Sequence, residues 1–99
     1  MIAAAAGDSQ RLDAWLWCAR LARSRAACAA LIENGRVRIN SQPTGKAHAR
    51  VRAGDVLTMA VGDARGAVRI WRVLALAARR GPPASAQALY EDLTPQLDG

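Results

Sequence analysis

The hydrophobic period of this chain changes at Gly35, and that change limits the folds open to it. Before it, Leu12, Trp15, Leu16 and Ala19 recur at helical spacing and make one apolar face over Arg11 to about Leu21. A second helix is predicted over Arg25–Glu33, with Ser24 as N-cap, Asn34-Gly35 as stop and Ala27, Cys28, Leu31 and Ile32 as its apolar face. The joint "LARS" is short, so the two helices must pack as a pair. Beyond Gly35 the period is two: Val37 and Ile39 point one way, Arg36 and Arg38 the other. A turn-rich "NSQPTG" follows, then "KAHARVR", which if extended carries Lys46, His48, Arg50 and Arg52 on one face. "VLTMAV" and "AVRIWRVLAL" read as a hairpin joined by "GDARG". "RRGPP" breaks the pattern, and a last helix is predicted from Ala86 to about Leu93, capped by Ser85. The fold class is α+β: two N-terminal helices packed on a small antiparallel β-sheet, with a short C-terminal helix. Residues 1–9 read as a flexible tail, 10–78 as the folded domain and 79–99 as a C-terminal extension.

Charge is distributed unevenly over this plan. The 99 residues carry a formal net charge of +6, and Lys46 is the only lysine. From Arg11 to Arg52, nine basic residues face two acids, Asp13 and Glu33; from Ala53 onward, five arginines face five acids. A GC-rich coding bias would explain the preference for arginine but not this placement. A one-sided basic surface is the electrostatic footprint of a polyanion binder. Double-stranded DNA binding is also expected of any surface this basic, without sequence specificity.

The start of the second helix is the sharpest candidate site. Arg23 and Arg25 flank Ser24, where the helix dipole is already positive. A phosphate seated there would meet free amides, the dipole and two guanidinium forks. Solvated surface arginines are the alternative. The basic strand residues add further phosphate contacts. Trp17, one turn from Arg20, is either a platform for an unpaired base or a packing residue. Asp13 suits the first helical turn and can hold a neighbouring arginine fork in place. Trp15 and Trp71 read as core.

No catalytic constellation stands out: there is no Gly-rich phosphate loop, no nucleophile with a base, and His48 sits alone among cations. Cys18 and Cys28 form no CxxC pair and read as small core residues, so neither metal nor cofactor is expected. The start "MIAAAAGDSQ" lacks the pattern of a signal peptide, and no apolar run approaches the ~20 residues of a membrane span. A cytoplasmic, monomeric, non-enzymatic protein is expected.

The ordered set Arg11-Leu12-Asp13, Ser24-Arg25, Leu31-Ile32 with Gly35, Val37-x-Ile39-Asn40 and Gly54-Asp55 resembles the alpha-L RNA-binding motif. The double tryptophan of "WLW" and the segment "RRGPPASAQALYED" extend the resemblance to the ribosome-associated heat-shock proteins of fifteen kilodaltons. That resemblance implies binding to ribosomal RNA on large subunits, with transfer RNA on stalled subunits as a further partner and recycling of those subunits as the task. It implies RNA contacts at Arg11, Arg20, Arg23, Ser24, Arg25, Arg36, Arg38 and Lys46, to which the strand pattern adds Arg50. An accessory module of RNA-modifying enzymes, or a protein-interaction module using the Trp71 hairpin or the C-terminal helix, are the alternatives. Two features depart from the family pattern. Ser41 stands where glycine usually follows the asparagine, so an altered hairpin is expected there. The sequence ends at "LTPQLDG", where relatives often continue with a lysine-rich tail.

Overall fold

A computed structural model describes residues 8–61 and 67–95. The expected tail falls almost wholly outside these residues, as does the "GDARG" turn. A short strand, β1 (Gln10–Arg11), leads into α1 (Leu12–Cys18), and α2 (Arg25–Glu33) follows. The strands are β2 (Val37–Ile39), β3 (Gln42–Thr44), β4 (Arg50–Val51), β5 (Val56–Ala60) and β6 (Val68–Val73). A single-turn helix, α3 (Pro83–Gln87), and a last strand, β7 (Tyr90–Asp92), complete the order. All pairings are antiparallel: β1 with β4, and a five-stranded sheet in the order β3-β2-β5-β6-β7.

The two helices end in the same way with different residues. After α2, Gly35 adopts φ 76°, its N–H donates to Ile32 O (3.0 Å), and Arg36 N–H donates to Leu31 O (3.0 Å). This is a Schellman motif with glycine at the left-handed position. After α1, Arg20 fills that position at φ 64°, with Arg20 N–H on Trp17 O and Leu21 N–H on Leu16 O, each 3.0 Å. The helix therefore stops three residues before the predicted Leu21, at a left-handed residue with no glycine to mark it. For an L-residue that conformation costs roughly 1–2 kcal/mol.

Three further expectations are corrected. "KAHARVR" is not one strand: residues 46–49 turn, with Ala49 N–H on Lys46 O (3.0 Å), and only Arg50–Val51 pairs. The turn instead caps α1, because Leu12 and Asp13 donate their N–H groups to Ala49 O (2.7 Å) and Ala47 O (3.1 Å). "NSQPTG" contains β3 as well as a turn: Asn40 (φ 51°) and Ser41 (φ 72°) form a two-residue loop between Ile39 and its partner Gln42. The hairpin thus closes with serine in the glycine position. The predicted 86–93 helix is replaced by α3, which Pro82 rather than Ser85 precedes, and by β7, which pairs with β6.

Strand register fixes the core. Val37 pairs with Met59, Ile39 with Leu57 and Leu57 with Trp71, so these side chains share the inner face. They close over Leu12, Trp15 and Leu16 of α1, all fully buried, with Cys28 and Ile32 of α2. Trp15 meets Trp71 edge-on (6.4 Å) and gives its indole N–H to Ala75 O at 2.8 Å. Trp71 also stacks on Tyr90 at 3.8 Å, so β7 is part of the core. Among the described residues, no helix is long and apolar enough to cross a membrane.

Candidate nucleic-acid interface

Asp13 organises the basic surface. The capping turn over the start of α1 leaves its carboxylate only 5% exposed. Its Oδ1 and Oδ2 accept from Arg11 Nε (3.1 Å) and Nη2 (3.0 Å), a bidentate fork, and Oδ1 lies 3.5 Å from Arg25 Nη2. Ala14 N–H adds a bond of 2.8 Å. Burial pushes the Asp13 carboxyl up. The Arg11 and Ala14 hydrogen bonds and the Arg25 and Arg11 charges outweigh it and hold the group below its ordinary value. One carboxylate thus fixes two guanidinium groups from α1 and α2, and both remain about half exposed.

Around this clamp the cations gather from three elements. Arg50 lies opposite Arg11 in the β1–β4 ladder, and its fork is held by Ser9 through Nε to Oγ and Nη2 to the carbonyl, both 3.0 Å. Lys46 and His48 are exposed in the turn that caps α1. Arg23 is exposed before α2, and the Ser24 hydroxyl accepts Ala27 N–H at 3.0 Å as predicted. The Arg25 and Ala26 amides, in the first turn, have no intrahelical acceptor. An anion here would meet oriented N–H groups beside two positioned forks.

The other predicted residues lie elsewhere. Arg38 pairs with Thr58, which pairs with Ile70, so it stands on the sheet face opposite Val37 and the helices. Arg36 precedes β2 rather than belonging to it; with Arg38, Thr58, Ala60 and Val68 it borders a shallow cavity of about 270 Å³. Arg20 donates Nε (3.1 Å) and Nη2 (2.9 Å) to Gly81 O and so joins α1 to the C-terminal segment. Arg52 is exposed, and its N–H donates to Asp55 Oδ2 at 2.9 Å. The predicted set is therefore a clamp group, a separate pair on the outer sheet face, and one arginine engaged in the fold.

Arg80 was missed, because it belongs to the electrically neutral half of the sequence. Its guanidinium lies 5.3 Å above the Trp17 ring and its Nε donates to Trp17 O at 3.2 Å. Trp17 therefore packs under the returning chain. Gln10 fastens the same segment, donating to Ala77 O (2.7 Å) and accepting Ala77 N–H (3.1 Å). The charges of both Arg25 and Arg80 act on the buried Cys18 thiol, but burial prevails and raises its pKa. Burial raises that of Cys28 as well. No metal-ligating cluster occurs among the described residues.

Two motif residues turn out to tie loops together. Asn40 donates Nδ2–H to Asp55 Oδ1 (3.0 Å), while its Oδ1 accepts Val56 N–H (2.8 Å). Gly54 makes this turn possible at φ 98°.

The fold and this surface define a class. The S4 domain model matches residues 10–57, which span β1 through the first residues of β5. Residues 10–57 carry an S4 domain, the alpha-L RNA-binding motif. The chain is homologous, more narrowly, to heat shock protein 15. It is 39% identical over 83 residues to the heat shock protein 15 homolog of Haemophilus influenzae, covering 83% of this chain and 60% of that protein. It is 34% identical over 88 residues to heat shock protein 15 of Escherichia coli K12, covering 89% of this chain and 63% of the relative. The chain thus spans about three-fifths of the length of these relatives. The trimeric structure of Vibrio cholerae heat shock protein 15 superposes with a TM-score of 0.76 at 28% identity, covering 86% of this chain and 82% of that one.

Proposed function

We propose that the chain is a non-enzymatic, cytoplasmic factor that binds ribosomal RNA on the large ribosomal subunit and serves rescue or recycling of stalled subunits under heat stress. Transfer RNA held on those subunits is a second partner in this reading. The observation that carries it is the Asp13 clamp, which presents the Arg11 and Arg25 forks beside the open start of α2. Planar, pre-oriented guanidinium groups suit phosphate better than mobile lysines would. The heat shock protein 15 relatives support the choice of partner and setting.

Binding of purified large subunits across a salt titration tests the proposal. With about five phosphate contacts and a slope of about −0.7 per contact, a fourfold rise in salt weakens affinity about a hundredfold. A flat response, or no binding at low salt, overturns it. Arg23→Ala with Arg25→Ala should weaken binding and lower the slope by about two contacts. The protein acts as a monomer: edge strand β3 contains Pro43 and edge strand β7 carries Glu91 and Asp92, features that oppose edge-to-edge pairing. Since the Vibrio cholerae relative is described as trimeric, light scattering in solution decides between the two states.

A further inference from the structure

Arg80 and Trp17 together leave several N–H donors at the surface. Arg80 spends its Nε on Trp17 O at 3.2 Å and lays its guanidinium 5.3 Å above the Trp17 ring. That uses one of the five N–H groups an arginine carries. Among the described residues, Trp71 Nε1 is the one side-chain polar atom of a non-exposed residue that is both buried and without an acceptor. Arg80 and Trp17 are partly buried, so the Arg80 Nη groups and the Trp17 indole N–H, which also lack a protein acceptor, reach solvent.

This pair adjoins the clamp. Trp17 follows Asp13 by four residues on α1, so the two share one helix face. The charges of Arg25 and Arg80 both act on the Cys18 thiol between them in the fold, as expected if both cations border the end of α1. The two sets of forks are held differently. A carboxylate orients Arg11 and Arg25 and offsets part of their charge. A ring and a carbonyl orient Arg80, and neither carries a net charge. A cation at the end of α1 also suits the helix dipole. That role asks only for charge near Trp17 O and not for unused N–H groups at the surface.

We propose that Arg80 and the Trp17 indole N–H form a second phosphate seat of the RNA surface, one helical turn along α1 from the Asp13 clamp. Arg80 lies outside residues 10–57, the extent of the S4 domain match, so the returning chain completes an interface that α1 and α2 begin. The proposal rests on the RNA-binding reading above.

Salt titrations of the full chain on purified large subunits test it with two variants. Gln10 on Ala77 and Arg20 on Gly81 hold the returning segment independently, so Arg80→Gln should leave it in place. Arg80→Gln should weaken binding about tenfold at low salt, the loss of one charge-assisted contact. It should also lower the salt slope by about 0.7, one phosphate contact. Arg80→Lys, which keeps the charge, should keep the slope. Weaker binding with an unchanged slope in Arg80→Gln makes Arg80 a fold residue alone and overturns the proposal. Unchanged affinity and slope overturn it too, and leave the clamp surface standing. No salt-dependent binding by the wild type overturns the RNA-binding reading and this seat with it. A second measurement reads Trp17 directly, because Trp15 and Trp71 are buried. Saturating protein-free large-subunit ribosomal RNA should shield the tryptophan emission from acrylamide, and quenching that stays the same with RNA bound refutes the seat.

Discussion

Asp13→Asn isolates the charge of the clamp while keeping its shape. The buried carboxylate accepts a bidentate fork from Arg11, one backbone N–H and a longer contact from Arg25. Hydrogen bonds to charged groups contribute about 1.5–3 kcal/mol each when buried. Both arginines are about half exposed, however, so each pair is discounted toward the ~1 kcal/mol of surface ion pairs. A loss of about 2 kcal/mol follows, or about 10 °C in Tm for a domain of this size. The pH dependence carries the sharper test. The folded-state pKa of Asp13 lies below the unfolded value, so its contribution is complete above about pH 4 and disappears as pH falls through the depressed folded value. Thermal unfolding followed by circular dichroism should therefore show the wild type well above Asp13→Asn at about pH 7, with the gap closing toward about pH 2. Freed forks should also weaken RNA binding in the variant. A gap that stays constant from neutral to acid pH refutes the clamp, because the lost stability would then owe nothing to the charge.

Three other perturbations test neighbouring parts. Ser41→Gly relieves a left-handed serine at φ 72° and should raise stability by about 0.5–1 kcal/mol in urea unfolding, glycine's entropy offsetting part of the gain. Asn40→Ala removes two side-chain hydrogen bonds between neighbouring turns and should cost about 2 kcal/mol in the same assay. Arg80→Ala uncovers Trp17 and should raise the quenching of tryptophan fluorescence by acrylamide, with about 1 kcal/mol lost.

The parts of the fold that were legible in the sequence rest on local chemistry. Ser24 caps α2 and Gly35 ends it, and each residue type has one strong conformational reason to stand there. The alternation of Val37, Arg38 and Ile39 predicts β2, because one face must be buried. The end of α1 was not legible because Arg20 performs the task of glycine, and arginine carries no signal for a left-handed turn. β7 was hidden for a different reason. Ala86, Leu89, Tyr90 and Leu93 fit a helical face, but Tyr90 instead stacks on Trp71 and its strand extends the sheet. Tertiary packing overrides a weak helical period when an aromatic surface and an unpaired strand edge are both available.

The same distinction explains the candidate site. Counting charge along the chain separates a basic first half from a neutral second half, but folding does not respect that boundary. Arg80 returns to lie over Trp17 of α1, and Gly81 receives the fork of Arg20. Arg69 stands beside Trp71 on the inner sheet face. Second-half cations thus join first-half ones at the end of α1, while two second-half acids are engaged elsewhere: Asp55 holds Asn40, and Glu91 pairs with Arg72 across β6 and β7. Conversely, Arg38 was grouped with the clamp by sequence and is separated from it by the thickness of the sheet. A basic surface is a property of which side chains meet after folding. Asp13, Asp55 and Glu91 each have partners in a turn or a ladder, while the Arg11 and Arg25 guanidinium groups stay about half exposed beside α1. That division of partners, more than the net charge of +6, supports the polyanion-binding surface proposed around the Asp13 clamp.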